Sequence, residues 1–341
     1  MKKTVFLIPL IIFVGCKKQG QEDFSKSTEN KQTKSELLIK SSSFFKSIST
    51  ITEEPIPEEK INLGKKLYFD SSLSKNGTIS CNSCHNLENY GVDNKALSLG
   101  DTKKLGGRNS PSSIYASLHS MQFWDGRAKD VEEQAGGPLL NPVEHSLPSK
   151  EFLENKLREN PEYVTLFKKV YPNEKEPITF SNITNAIGSF ERKLHPKSRF
   201  DSYLDGDEKA LSDNEKEGLK SFMDNNCVMC HSGVALGGQM IQKFGIYGSY
   251  TNLTHSKKVD KGVFERTQKT GDEFMFKVPS LRNAEKTFPY FHDGSVTSLS
   301  EAIKIMGKIQ LNKNLSEQEI NNIEAFLKAL TADVDPKYKK A

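Results

Sequence analysis

Two stretches of the chain carry one pattern, Cys81-Asn-Ser-Cys84-His85 and Cys227-Val-Met-Cys230-His231. Two thiols three positions apart lie on one helical turn, where they reach the two vinyl groups of a single haem. The adjoining histidine then points its imidazole at the iron from the same face. A thioredoxin-like redox pair or half of a zinc site would also use paired cysteines. Neither calls for a histidine directly after the second cysteine, and here it occurs twice. The pattern predicts two covalently bound haems c, with His85 and His231 as iron ligands.

The chain holds five cysteines, and the two motifs leave only Cys16 over. Cys16 closes a segment in which Lys2 and Lys3 precede an apolar run, residues 5–14, too short to span a bilayer. Gly15-Cys16 followed by Lys17 and Lys18 resembles a lipobox, whose cysteine is lipidated, although Phe13 stands where leucine is usual. Residues 1–16 are therefore expected to be a lipoprotein signal peptide. The product would be periplasmic in a diderm bacterium and held to the membrane by its lipid alone. An ordinary signal peptide with an incidental cysteine would export the chain without the anchor. Residues 17–54 are rich in Ser, Lys, Thr, Glu and Gln and are expected to be a flexible polar tether.

The elements that must position the two motifs follow from the rest of the pattern. A chain of 341 residues has room for two domains. Its hydrophobic fraction of 35% is low, so a large apolar cofactor would help to fill the interior. The net charge of +4 is too modest to suggest a nucleic-acid partner. Two halves of similar plan, residues 55–200 and 201–341, each give a helix, then the cysteine motif, then a long Gly- and Asn-rich stretch. Pro57-Glu58-Glu59 signals a helix start, with Ile61, Leu63, Leu67 and Tyr68 on one face. Residues 150–195 read as helical, with Phe152, Leu157, Phe167, Val170, Ile183, Ile187 and Phe190 directed inward. Residues 213–222 lead into the second motif, and 320–330 close the chain as a helix. Strand signals are few, so the fold is expected to be mainly α with long cofactor-wrapping loops.

The second axial position of each iron decides function, since methionine makes an electron-transfer centre and an open position admits substrate. Met306, in Glu301-Ala-Ile-Lys-Ile-Met306, is the candidate in the second half. Met223, Met229, Met240 and Met275 satisfy the spacing equally, and a core methionine is the plainer reading of any one of them.

Further motifs stand in order along the chain. The first half has Leu63-Gly-Lys-Lys-Leu-Tyr-Phe-Asp70, Arg108-Asn-Ser-Pro111, Gln122-Phe-Trp-Asp-Gly-Arg127, Glu133-Gln134 and Asn141-Pro-Val-Glu144. The second has Phe276-Lys-Val-Pro-Ser-Leu-Arg-Asn283 and Pro289-Tyr-Phe-His-Asp-Gly294. From about residue 55 to about 332, the sequence resembles the bacterial di-haem cytochrome c peroxidases of the MauG-type superfamily. The resemblance implies two cytochrome c-like domains, each wrapping one haem. It makes the His85 haem peroxidatic and the His231 haem, with Met306 opposite, the site of electron entry. It puts Trp124 between the haems and makes Glu144 the distal carboxylate, with Gln134 beside it. Heterolytic O–O cleavage moves a proton from one oxygen to the other, which is general acid–base work. Asn109, Thr287 and Pro289 match positions that hold calcium between the domains, through oxygen donors suited to a hard cation. The implied substrate is hydrogen peroxide, the implied donor a small cytochrome c or cupredoxin. Family members are commonly homodimers, though no motif here establishes that.

The sequence departs from the family's pattern at two places. Many members carry a displaceable histidine after the first motif, and the aligned residue here is Asp101, a poor ligand for such an iron. The first haem is therefore expected to be open in the oxidised protein, with no need of reductive activation. His145 follows Glu144 where methionine is common, and could tune the distal pocket or take the sixth position. His119 is a remoter candidate; it, His195 and His255 are expected in surface or packing roles, and His292 in a structural one. Two other functions fit parts of the pattern. A maturase oxidising a protein side chain would carry tyrosine where Met306 stands. In a pure electron carrier, Glu144 and Gln134 would have no purpose.

Overall fold

Capping side chains start the helices, and two glycines let them pack. The computed structural model describes residues 34–52 and 54–340, with Met1 and Thr4. The expected signal peptide with Cys16, and residues 17–33 of the expected tether, lie outside the described residues. The α-helices run in the order α1 (Glu36–Phe44), α2 (Glu58–Phe69), α3 (Cys81–Cys84), α4 (Val131–Leu140), α5 (Lys150–Arg158), α6 (Pro161–Val170), α7 (Phe180–Glu191), α8 (Arg199–Leu204) and α9 (Asp213–Asp224). After them come α10 (Tyr250–Thr254), α11 (Phe264–Thr267), α12 (Leu299–Leu311) and α13 (Glu317–Ala329). Ser35, Asp130, Ser149, Asn160, Thr179, Ser212, Ser298 and Ser316 each accept a first-turn N–H at a helix start. Two short strands, β1 (Ile241–Lys243) and β2 (Met275–Lys277), pair antiparallel with Ile241 opposite Lys277. Among the described residues, no helix is long and apolar enough to cross a membrane.

Each half is built on one close helix crossing. In the first, α2 packs on α7. A Cβ on Gly64 would stand 1.8 Å from the Ala186 carbonyl oxygen, so only glycine permits the approach. In the second, α9 packs on α13, and a Cβ on Gly218 would stand 1.9 Å from the Asn322 carbonyl oxygen. Both glycines lie on the helix that leads into a Cys-x-x-Cys-His motif, so the same device fixes where each motif begins. Around these crossings Leu63, Leu67, Tyr68, Ile183, Ile187 and Phe190 form one core. Phe200, Leu219, Phe222, Ile323 and Phe326 form another.

Four expectations are corrected. Residues 36–50 are not tether. Leu38 and Phe45 are 0% and 1% exposed within the second core, and Phe45 meets the Phe200 ring edge-on at 5.4 Å. The backbone is tied as well, since Ser35 N donates to Glu208 Oε1 at 2.7 Å and Ile48 N to Asp201 Oδ1 at 2.8 Å. At the other end, Val334 and Tyr338 pack in the first core, not in the C-terminal half. The passage expected at 200/201 falls inside α8, whose Phe200 and Tyr203 belong wholly to the second core. Phe152, expected inside, is 42% exposed, and its neighbour Leu153 takes the core position.

Because Phe45 fills a core, Phe45→Ala should cost about 3–5 kcal/mol, read by denaturant unfolding of the holoprotein. A chain beginning at residue 51 should lose stability comparably. Unchanged stability in both would restore the tether.

Candidate functional site

The first motif forms one short helix, α3, in which Ser83 Oγ accepts from Ser80 N at 2.9 Å and His85 N donates to Cys81 O at 2.9 Å. Tyr68, from α2, donates its hydroxyl to the His85 carbonyl at 2.6 Å. The His85 ring is set by its Nδ1, which donates to the Pro111 carbonyl at 2.8 Å. Burial depresses its pKa, against the pull of the bond to Pro111, so the ring is neutral and Nε2 keeps its lone pair. The second motif repeats the arrangement on a tighter turn, with His231 Nδ1 3.3 Å from the Leu236 carbonyl and the pKa pushed down by burial to about 4.

None of the four motif cysteines is paired in a disulfide. Burial raises the pKa of each, that of Cys227 to about 11. A redox dithiol needs a lowered pKa, so this environment speaks against a thioredoxin-like pair. Among the described residues, no three His, Cys, Asp or Glu side chains converge as a metal site would require.

Two cavities receive these groups. Cys227, Cys230 and His231 line one of them, the second in chain order, and Met306 from α12 lines it too. The competing methionines are elsewhere: Met223 is buried in the second core, Met229 is 69% exposed, and neither Met240 nor Met275 lines the cavity. Cys81, Cys84 and His85 line the other cavity with Gln134, Glu144, His145 and Arg127. Two cysteines beside an imidazole with an available Nε2 fit a covalently attached haem in each.

Trp124 lines both cavities, and its Nε1 donates to the Asn109 carbonyl at 2.8 Å. Gln134 comes from α4, and Glu144 from the turn that follows it. Asn141 Nδ2 donates to Glu144 Oε1 at 2.9 Å, leaving the other carboxylate oxygen without that bond. Burial raises the Glu144 pKa, partly offset by the Arg127 charge and the Asn141 bond. Asn109, Thr287 and Pro289 all line the second cavity, and Asn109 Nδ2 donates to Lys95 O at 2.8 Å.

Asp101 does not line the first cavity. It is 3% exposed and accepts from Ser74 Oγ, Asn76 N and Thr78 Oγ1 at 2.9, 2.8 and 2.7 Å. Burial would raise its pKa, but these bonds outweigh it and hold the carboxyl at about 2. His145 does line the cavity, with Nδ1 donating to the Leu73 carbonyl at 2.9 Å. His255 is exposed. His119, expected in a surface or packing role, is enclosed between the cavities, and His292 stacks on Phe276 with ring centroids 4.2 Å apart.

Sequence reasoning assigned no role to Arg127 or Glu191. Arg127 faces the first cavity, pairs with Asp125 at 2.9 Å and covers the Phe123 ring. Glu191 lines it as a buried acid, pushed to about 8 by burial and by the Glu132 charge. Its signal in the sequence is a carboxylate four residues after Ile187 on the apolar face of α7.

A family model described as di-haem cytochrome c peroxidase matches residues 58–209, and one described as cytochrome c matches residues 215–331. The cytochrome c551 peroxidase of Pseudomonas aeruginosa is 44% identical over 301 residues, covering 86% of each chain. The chain belongs to the di-haem cytochrome c peroxidase family. The cytochrome c551 peroxidase of Nitrosomonas europaea is also 44% identical, over 84% of this chain and 83% of its own. A solved MauG-like protein associated with microbial copper homeostasis is 31% identical with a TM-score of 0.75, covering 83% of this chain and 93% of its own. The two halves are thus cytochrome c-like domains of a mainly α fold, and membership in the family makes the chain a peroxidase that holds two haems c.

Proposed function

We propose that the chain reduces hydrogen peroxide to water at the His85 cavity. Electrons would come from a small cytochrome c or cupredoxin and enter through the His231–Met306 cavity. One observation carries this reading. Glu144 and Gln134 share a cavity with His85, Met306 shares the other with His231, and Trp124 belongs to both walls.

Bound at Cys81, Cys84 and His85, and at Cys227, Cys230, His231 and Met306, haem supplies the redox-active iron. The chain's own groups do the rest. Glu144 accepts a proton from one peroxide oxygen and delivers it to the other, which departs as water; two electrons and two protons complete the second water. Asn141 orients the carboxylate, and the Gln134 amide can hold peroxide beside it. Trp124 offers an aromatic bridge for electrons between the two cavities. Met306 favours this reading over a protein-oxidising maturase.

Asp101 supports activity without reductive activation. Its carboxylate is consumed by Ser74, Asn76 and Thr78 and stands outside the cavity. Calcium, where bound, would use Asn109, Thr287 and Pro289, with Asn109 Oδ1 left over by the bond that Nδ2 makes. Export and a lipid on Cys16 complete the reading. Metal analysis should find calcium that a chelator removes, and Cys16→Ser should release the protein from the membrane fraction; failure of either strikes out that assignment alone.

The deciding measurement compares peroxide turnover by the fully oxidised protein with turnover after one-electron pre-reduction. Equal rates are expected. Activity confined to the pre-reduced form would overturn the Asp101 argument and make His145 the ligand to displace.

Glu144 must be ionised to take the proton, and burial raises its pKa. Activity should therefore be lost, as pH falls, above the ordinary carboxylate range of about 4.3. Glu144→Gln should lower kcat/KM by about 10²–10⁴ and abolish that acid limb. A variant keeping both limb and rate would remove Glu144 from the mechanism.

A further inference from the structure

The wall shared by the two cavities contains a charge without a counter-charge. Lys277, the last residue of β2, is 5% exposed, and among the described residues no carboxylate pairs with it. Its Nζ meets His119 Nδ1 at 3.2 Å. His119 is partly buried, and its Nε2 is enclosed without a partner. Gly238 backs the ring so closely that a Cβ there would lie 2.3 Å from its Cδ2. Lys277 and His119 both line the first and the second cavity. Burial pulls the Lys277 ammonium down to about 8, and burial with the Lys277 charge holds His119 well below its ordinary value.

An ammonium enclosed without an anion is unfavourable; Lys258 is exposed to solvent, and the arginines that line the cavities are already matched. Arg108 pairs with Asp125 and Asp260, Arg127 with Asp125, and Arg282 with Asp201. The missing anion must therefore come from whatever fills the cavities. A haem c brings two propionate carboxylates, the anionic edge of an otherwise apolar ring. We propose that Lys277, braced by His119, is the counter-ion of a haem propionate at the boundary between the two cavities. This rests on the two-haem reading.

Lys277 has a second hold on the same region, since its backbone N–H donates to the Trp124 carbonyl at 2.7 Å. One residue thus fixes the loop that carries Trp124 and balances the charge beside it. An ammonium facing a propionate favours the reduced iron, whose charge is lower, and so raises the potential of that haem.

The test uses the holoprotein with Lys277→Met and Lys277→Arg. Haem is counted per chain first, and both haems are then titrated potentiometrically. Two haems are expected in all three proteins, with one potential lower in the Met variant and recovered by the Arg variant. Two haems with both potentials unmoved in Lys277→Met would overturn the proposal. A wild-type count below two would remove the two-haem reading and the proposal with it. If the Met variant fails to assemble, the propionate-bending bands in the resonance Raman spectrum of the wild type decide. A band that shifts on deuteration supports the N–H donor, and bands that do not shift overturn it.

Discussion

Asn109 and Pro111 stand two residues apart, and their carbonyl oxygens hold the two side chains on which the interior turns. The first accepts from Trp124 Nε1, the second from His85 Nδ1. The same short stretch is pinned from outside, by Asn109 N donating to His292 O at 2.7 Å and by Ser112 Oγ donating to Tyr90 O at 2.7 Å. A histidine ligates iron well only when its other nitrogen is committed, and a bridging indole is useful only if it stays put. Both needs would be met by backbone of one segment, so the His85 ring and the Trp124 indole, which lines both cavities, cannot be displaced independently.

One buried carboxylate, that of Asp101, ties neighbouring loops together. Asp101 draws three neighbours onto its carboxylate, and its own N–H donates to the Glu144 carbonyl at 2.9 Å. Gly100 touches the same turn so closely that a Cβ would stand 1.8 Å from the Val143 carbonyl oxygen. Lys75 N adds a bond to the His145 carbonyl at 2.9 Å. The loop of Asp101 is thus fastened to the turn that bears Glu144.

What could be read from the sequence was chemistry with a fixed local spacing. Cys-x-x-Cys-His is one turn of chain, and the ordered motifs around Trp124, Gln134, Glu144 and Met306 place each residue in the region that lines a cavity. Long-range events were not legible. His119 and Lys277 are 158 residues apart, and nothing near either one in sequence foretells the other. The first helix was hidden because its apolar residues, Leu37, Leu38, Ile39 and Phe44, cluster at its two ends around Lys40 and three serines and set up no sustained period; Leu38 and Phe45 matter through cores assembled far along the chain. Phe152 and Leu153 show the finer limit, since adjacent apolar residues leave the inward one undecided until packing chooses.

The two ends of the described chain lie in each other's halves. Leu38 and Phe45 complete the core built by α8, α9 and α13, while Val334 and Tyr338 complete the one built by α2 and α7, with Tyr338 against Phe190 at 5.9 Å. A growing polypeptide therefore cannot complete the first core before residues 334–338 emerge. The earliest segment must likewise wait for a partner not yet synthesised. Neither domain is sealed alone, so the two should come apart, and come together, in a single cooperative event.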